Sequence, residues 1–238
     1  MSIFRTLLKS TFQQINATCS KTYRYRLKII MTIFFTKKLL NGLSRMPEDF
    51  FKTEDRKYSL LWQDSYKEAH WKKLASKLIE QYPPHSSLID FGFGNGSALR
   101  YFQNKGYQVT GVDISSYAVR IAEPHFEVYH SSLDNIKFIE DKKFTIGFCN
   151  DVIEHVPEFL VLASLKEMAR VCRQSLFISV CPTLSHHLSH DGENLHLTVK
   201  DKTWWEEQLN QIGIVRKFNF MFSRSLRYQV ILNQSINQ

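Results

Sequence analysis

A doubly wound α/β fold is the architecture this 238-residue sequence predicts. Three observations carry it. Between residues 87 and 180, short apolar runs of strand length alternate with stretches of helical periodicity, the rhythm of parallel strands joined by crossover helices. The first of those runs breaks into a loop with glycine at every second position, Gly92, Gly94 and Gly96. The last third leaves the rhythm and reads as a helix and then two strands around a short polar turn, an antiparallel hairpin closing a sheet edge.

The chain opens on a basic arm. Residues 1–46 hold Arg5, Lys9, Lys21, Arg24, Arg26, Lys28, Lys37, Lys38 and Arg45 and no acid. Of 31 basic and 23 acidic residues in all, this leaves 22 basic against 23 acidic in the remainder, so the net charge of +8 belongs to the arm. A helix over 3–15 places Phe4, Leu7, Leu8, Phe12 and Ile15 on one face with Arg5 and Lys9 at its border. Such a helix can dock on the protein's own core, lie on a membrane surface, or serve as a removable organelle-targeting segment, with nucleic-acid contact as the lesser alternative. No run approaches the ~18 apolar residues of a membrane span; the longest, at 29–35, is broken by a threonine.

Over 58–81, the spacing of Leu60, Leu61, Trp62, Tyr66, Trp71, Leu74 and Leu78 predicts one or two helices, which must stop before Pro83 and Pro84. Strands follow at 87–91, 108–112, 126–129, 144–150 and 176–180, with helices near 97–103, 117–122 and 158–170. A helix at 204–211 and strands at 214–222 and 226–232 complete the reading. The organisation expected is a basic amphipathic arm at 1–46, a helical lead-in at 47–84 and the regular domain at 85–238.

Cys19, Cys149, Cys172 and Cys181 lie far apart and form no CxxC pair, so neither a zinc clamp nor a disulfide framework is suggested, and reduced thiols in a cytoplasmic setting are the default. Cys149 and Cys181 lie in apolar, strand-like runs and are expected to be small buried hydrophobes.

The glycine loop lets backbone approach a ligand closely. A dinucleotide fingerprint would need glycine where Ser97 stands, and no GK[ST] follows for a phosphate loop. Asp90, two residues before the first glycine, would repel a pyrophosphate but suits a cationic ligand. Asp113 ends the next strand, where a carboxylate can accept both hydroxyls of a ribose or cap a helix.

With DFGFGNG at 90–96, GVDIS at 111–115 and NDVIEHVP at 150–157, the chain resembles class I S-adenosylmethionine-dependent methyltransferases over roughly 87–232. The resemblance is to the broad group acting on small molecules, quinones and glycans. It implies a seven-stranded, mostly parallel, Rossmann-like sheet with an antiparallel last strand, and S-adenosylmethionine as methyl donor. It also implies that Gly92, Gly94 and Gly96 border the methionine moiety, that Asp113 with Ile114 holds the ribose, and that Asn150 and Asp151 line the donor pocket. Where many relatives carry an acid for the adenine amine, this chain has Ser132 and Leu133.

Methyl transfer from a sulfonium is an in-line displacement, so positioning and proton removal are the main tasks. His155 is the first candidate base and His196 the second, with His186, His187 and His190 in the same loop. Small-RNA 2′-O-methyltransferases of this fold use Glu-x-x-Glu-His and a later histidine to hold a divalent metal. Asp151, Glu154, His155 and His196 are similar, but loop histidines without a metal are the expectation here. Trp204 and Trp205 can stack on a sugar or ring, or belong to the core. The function expected is methylation of a small, lipid-linked or glycan acceptor with base assistance. The alternatives are an RNA methyltransferase using the arm and a non-catalytic donor-binding module.

Overall fold

Residues 48–63, 71–190, 192–220 and 224–232 are described by a computed structural model, all within Pro47–Gln238. The basic arm and the helix expected at 3–15 lie outside the described residues. The lead-in forms α1 (Glu48–Gln63) and α2 (Lys72–Ile79), the latter burying Leu74, Ala75 and Leu78 before the proline pair. No helix among the described residues is long and apolar enough to cross a membrane.

The regular domain then alternates: β1 (Ser87–Phe91), α3 (Ser97–Asn104), β2 (Gln108–Asp113), α4 (Ser116–Ala122), β3 (Glu127–His130), β4 (Phe144–Asn150), α5 (Glu158–Val171) and β5 (Cys172–Val180). It closes with α6 (Lys202–Asn210), β6 (Gly213–Phe218) and β7 (Leu226–Leu232). β5 starts earlier than the apolar run suggests. Cys172 pairs with Phe144 and, past a register shift, Ser175 with Ile146, so the ladder recruits the exposed Arg173 and Gln174 that hydropathy assigns to a loop. β6 ends at Phe218, short of the 222 expected.

The seven strands lie in the order β3-β2-β1-β4-β5-β7-β6. The first five are parallel, and β7 runs antiparallel to both β5 and β6. The hairpin thus enters the sheet with its second strand inward and leaves β6 at the edge. Strands buried on both faces explain the near-continuous apolar runs. Ile89, Phe91, Leu176, Ile178, Tyr228 and Val230 pack with α5 and α6, whereas Leu88, Ile146, Phe148 and Phe177 pack with α2 and α3. Trp205 is wholly buried in the first of these clusters and Trp204 packs partly against it, so this pair is core rather than a platform for an acceptor ring.

Connections leave β1 and β4 toward opposite sides of the sheet. In an open α/β sheet the crevice at such a reversal, beyond the carboxyl ends of the strands, is where ligands bind.

Candidate functional site

The loop after β1 is built for close approach. Gly92, Gly94 and Gly96 all have left-handed φ, at 75°, 55° and 71°. A Cβ on Gly92 would stand 2.6 Å from the Val152 side chain, and one on Gly94 2.3 Å from the Trp62 ring. Trp62 belongs to α1, which therefore roofs the loop. Gly94→Ala is expected to cost about 1–2 kcal/mol from its backbone conformation, plus the displacement of Trp62. Denaturant unfolding should find that adding Trp62→Ala relieves the second part and not the first.

Asp113, at the end of β2, is buried beside this loop. Its Oδ2 accepts from Gly94 N at 2.8 Å and its Oδ1 from Ser115 N at 2.8 Å. Each carboxylate oxygen keeps a further lone pair. Burial raises its pKa to about 6, against the lowering pull of those amide donors. Ser115 caps α4 by accepting from Ala118 N, and α1 reaches the same place: Ser116 N donates to Asp55, and Tyr117 N to Ser59. Ile114 offers its carbonyl to His130 Nε2 at 2.9 Å, and the His130 ring lies 5.1 Å from that of Phe51. Ser132 is half-buried at the start of a short turn, whereas the Leu133 side chain is buried in the core; only its backbone edge is left for a ligand.

Asp90 and Asn150, near the ends of β1 and β4, are both buried. Asp151 follows with φ 51°, a conformation rare outside glycine but tolerated by Asp. It is pinned from three directions. Its amide donates to the Ser179 carbonyl, Ser179 Oγ donates to Oδ1 at 2.6 Å, and Asn150 Nδ2 donates to Oδ2 at 3.3 Å. Burial lowers the pKa of the Arg227 guanidinium on β7, and the charge of Asp151 opposes that effect. Asp90, Asp113 and Asp151 thus place three acids at one end of the sheet, an arrangement that favours a cationic ligand, whereas burial pushes the pKa of the enclosed Glu154 well up.

Beyond Asp151, the turn Ile153–His155 is clamped to the loop before α6. Leu197 N and Thr198 N both donate to the Glu154 carbonyl, and Thr198 Oγ1 donates to Val156 O. The clamp brings His196 beside His155, ring centroids 4.8 Å apart. His155 Nδ1 faces the Leu195 carbonyl at 3.0 Å and Tyr58 Oη at 2.9 Å. A carbonyl only accepts, so Nδ1 carries the proton. Burial, reinforced by the neighbouring His196, drives the His155 pKa down to about 3. This corrects the expectation of a base active near neutral pH: His155 is a neutral, oriented hydrogen-bonding group.

His196 is half-exposed, and its Nδ1 donates to the Thr183 carbonyl. Burial presses its pKa down, but hydrogen bonds with Cys181 and Thr183 outweigh that and leave it above the ordinary imidazole value. The same bond to His196 is the main reason the Cys181 thiol is lowered. Cys181 is therefore not the buried hydrophobe its sequence context suggests; it is the first residue past β5 and belongs to a polar cluster. Cys149 is buried as expected. His186, His187 and His190 are exposed, His186 against Arg224.

Residues 89–178 match the family model described as a methyltransferase domain. A ubiquinone biosynthesis O-methyltransferase of Albidiferax ferrireducens is 28% identical over 79 residues, 30% of this chain. The chain spans 31% of that enzyme's length. Among solved structures, a protein of Pyrococcus horikoshii superposes with a TM-score of 0.57 at 17% identity, covering 68% of this chain and 88% of its own. The 1,6-didemethyltoxoflavin-N1-methyltransferase of Burkholderia thailandensis, solved with 1,6-didemethyltoxoflavin and S-adenosylhomocysteine, gives 0.51 at 13% identity over 90% of this chain and 92% of its own. These likenesses establish the Rossmann-like methyltransferase fold.

Proposed function

We propose that this chain is an S-adenosylmethionine-dependent methyltransferase acting on a small acceptor. The observation that carries the reading is Asp113: a buried carboxylate, one βα unit beyond a glycine loop in which a Cβ on Gly92 or Gly94 would clash, with a lone pair on each oxygen for the two ribose hydroxyls. Asp90, Asp113 and Asp151 around the crevice favour a donor that bears both a sulfonium and an ammonium. The methionine moiety lies along Gly92, Gly94 and Gly96 with Asp90 beneath, the ribose on Asp113 and Ile114, and the adenine by Ser132 and the Leu133 backbone. Asn150 and Asp151 close the pocket.

The acceptor enters between α1 and the loop carrying His196, where Tyr58, His155 and Cys181 also stand. Its class is a small molecule, free or attached to a lipid or glycan, methylated on oxygen or nitrogen. Support comes from the methyltransferase-domain match and the partial similarity to an O-methyltransferase. Of the two histidines, His196 is the better proton acceptor, because His155 is held neutral. The basic arm gives a lipid-linked acceptor a route by peripheral contact with an anionic membrane surface.

The test is incubation with methyl-labelled donor and a cell extract, then organic and aqueous partition with nuclease treatment of the aqueous phase. Label in the organic phase or in nuclease-resistant aqueous material supports the reading, whereas nuclease-sensitive label would make the acceptor RNA. Tight donor binding without transfer would reduce the chain to a binding module.

A pH dependence follows from Asp113. Its folded pKa is raised above the ordinary carboxylate value, so its contribution to stability is present below about pH 4 and lost as pH rises through about 6. Binding runs the other way, since a protonated acid no longer accepts both hydroxyls. Calorimetric affinity for the donor should fall as pH drops below about 6, while the unliganded fold gains stability over the same interval.

A further inference from the structure

One carboxylate oxygen of Glu154, Sγ of Cys181 and a ring nitrogen of His196 lie within 4.8 Å of one another. Glu154 is wholly buried. One of its oxygens accepts from Cys181 N at 2.7 Å, while Oε2 meets no hydrogen-bond partner among the described residues. A buried carboxylate oxygen without a partner needs a proton or a cation. On His196, the Nδ1 proton is committed to the Thr183 carbonyl, which leaves the Nε2 lone pair for a ligand role. A histidine whose other nitrogen is fixed by a backbone carbonyl is the usual second-sphere arrangement of a metal ligand.

We propose that Glu154, Cys181 and His196 form a binding site for one divalent cation of the zinc type. The donor set of one thiolate, one imidazole and one carboxylate is what a borderline-soft ion selects over magnesium or calcium. Three protein ligands would leave a fourth position for water or another ligand. Asp151 and His155 are not members: Asp151 is held by Ser179 and Asn150, and His155 by Leu195 and Tyr58. The set therefore differs from the carboxylate and histidine layout that the sequence resembles. On binding, the thiol proton, and that of Glu154 where it carries one, leave to solvent as the metal–ligand bonds form.

The site does not depend on the identity of the donor or acceptor, and its test does not read turnover. Full-length reduced protein, stripped with a chelator, is titrated with Co²⁺ and followed by absorption. The expected result is one equivalent bound, with a thiolate-to-cobalt charge-transfer band that Zn²⁺ abolishes. Cys181→Ser should remove the band although Cys19, Cys149 and Cys172 remain. His196→Ala and Glu154→Gln should each weaken binding at least about tenfold with the circular dichroism spectrum preserved; the half-exposed His196 keeps the test open if Glu154→Gln does not fold. No band at stoichiometric cobalt, a band surviving Cys181→Ser, or unchanged affinity in His196→Ala would overturn the site.

Discussion

Asp113→Ala is expected to weaken S-adenosylmethionine binding roughly 30- to 800-fold, the equivalent of about 2–4 kcal/mol for the loss of two hydrogen bonds to a buried charged acceptor. The carboxylate does two jobs in the unliganded protein. It satisfies Gly94 N and Ser115 N, and so holds the glycine loop against β2. It also carries a charge that burial opposes, which raises its pKa to about 6. Alanine removes the ribose acceptor outright but also relieves the buried charge. Affinity and stability should therefore separate: calorimetry shows the large loss, and the thermal midpoint falls only modestly, because relief of the buried anion offsets part of the cost of leaving the buried amides of Gly94 and Ser115 without their acceptor. An affinity unchanged within twofold would refute the ribose assignment. A collapse of the thermal midpoint alongside the loss of binding would make Asp113 a structural clasp instead.

That residue was legible because everything that places it is local. The apolar run 108–112, the aspartate that ends it and the capping serine two residues later are contiguous, and hydropathy alone puts the carboxylate at the end of a buried parallel strand. The glycine loop was legible for the same reason, and the order of strands followed from alternation with helices. The roof of the site was not. Trp62 and Tyr58 read as members of an apolar helical stripe, and only the packing of α1 sets one over Gly94 and the other against His155. Cys181 was misread because the apolar run at 176–180 continues into it without a break. The sheet ends at Val180, and one residue further the chain leaves the core for a polar loop. His155 carried the correct residue type at a suggestive place, but burial, which no spacing reveals, removed its basicity.

His196→Ala is expected to lower kcat by roughly a hundred- to ten-thousandfold, the range for loss of a positioned proton-transfer group. Donor affinity should be unaffected, because the ring lies beyond Asp151 on the acceptor side. His155 cannot take over, since its pKa of about 3 leaves it little affinity for a proton at neutral pH. The imidazole can act in two ways that a single substitution does not separate: its lone pair takes the acceptor's proton, or it binds a cation that acidifies the acceptor. Cys181→Ser separates them. If His196 works alone, serine at 181 still offers a hydroxyl to the ring and kcat stays within a few-fold. If a cation is the active element, thiolate and imidazole are ligands to one ion, so Cys181→Ser and His196→Ala lose activity to a similar degree and the double variant loses little more than either. Additive losses would instead place the thiol and the imidazole in separate roles.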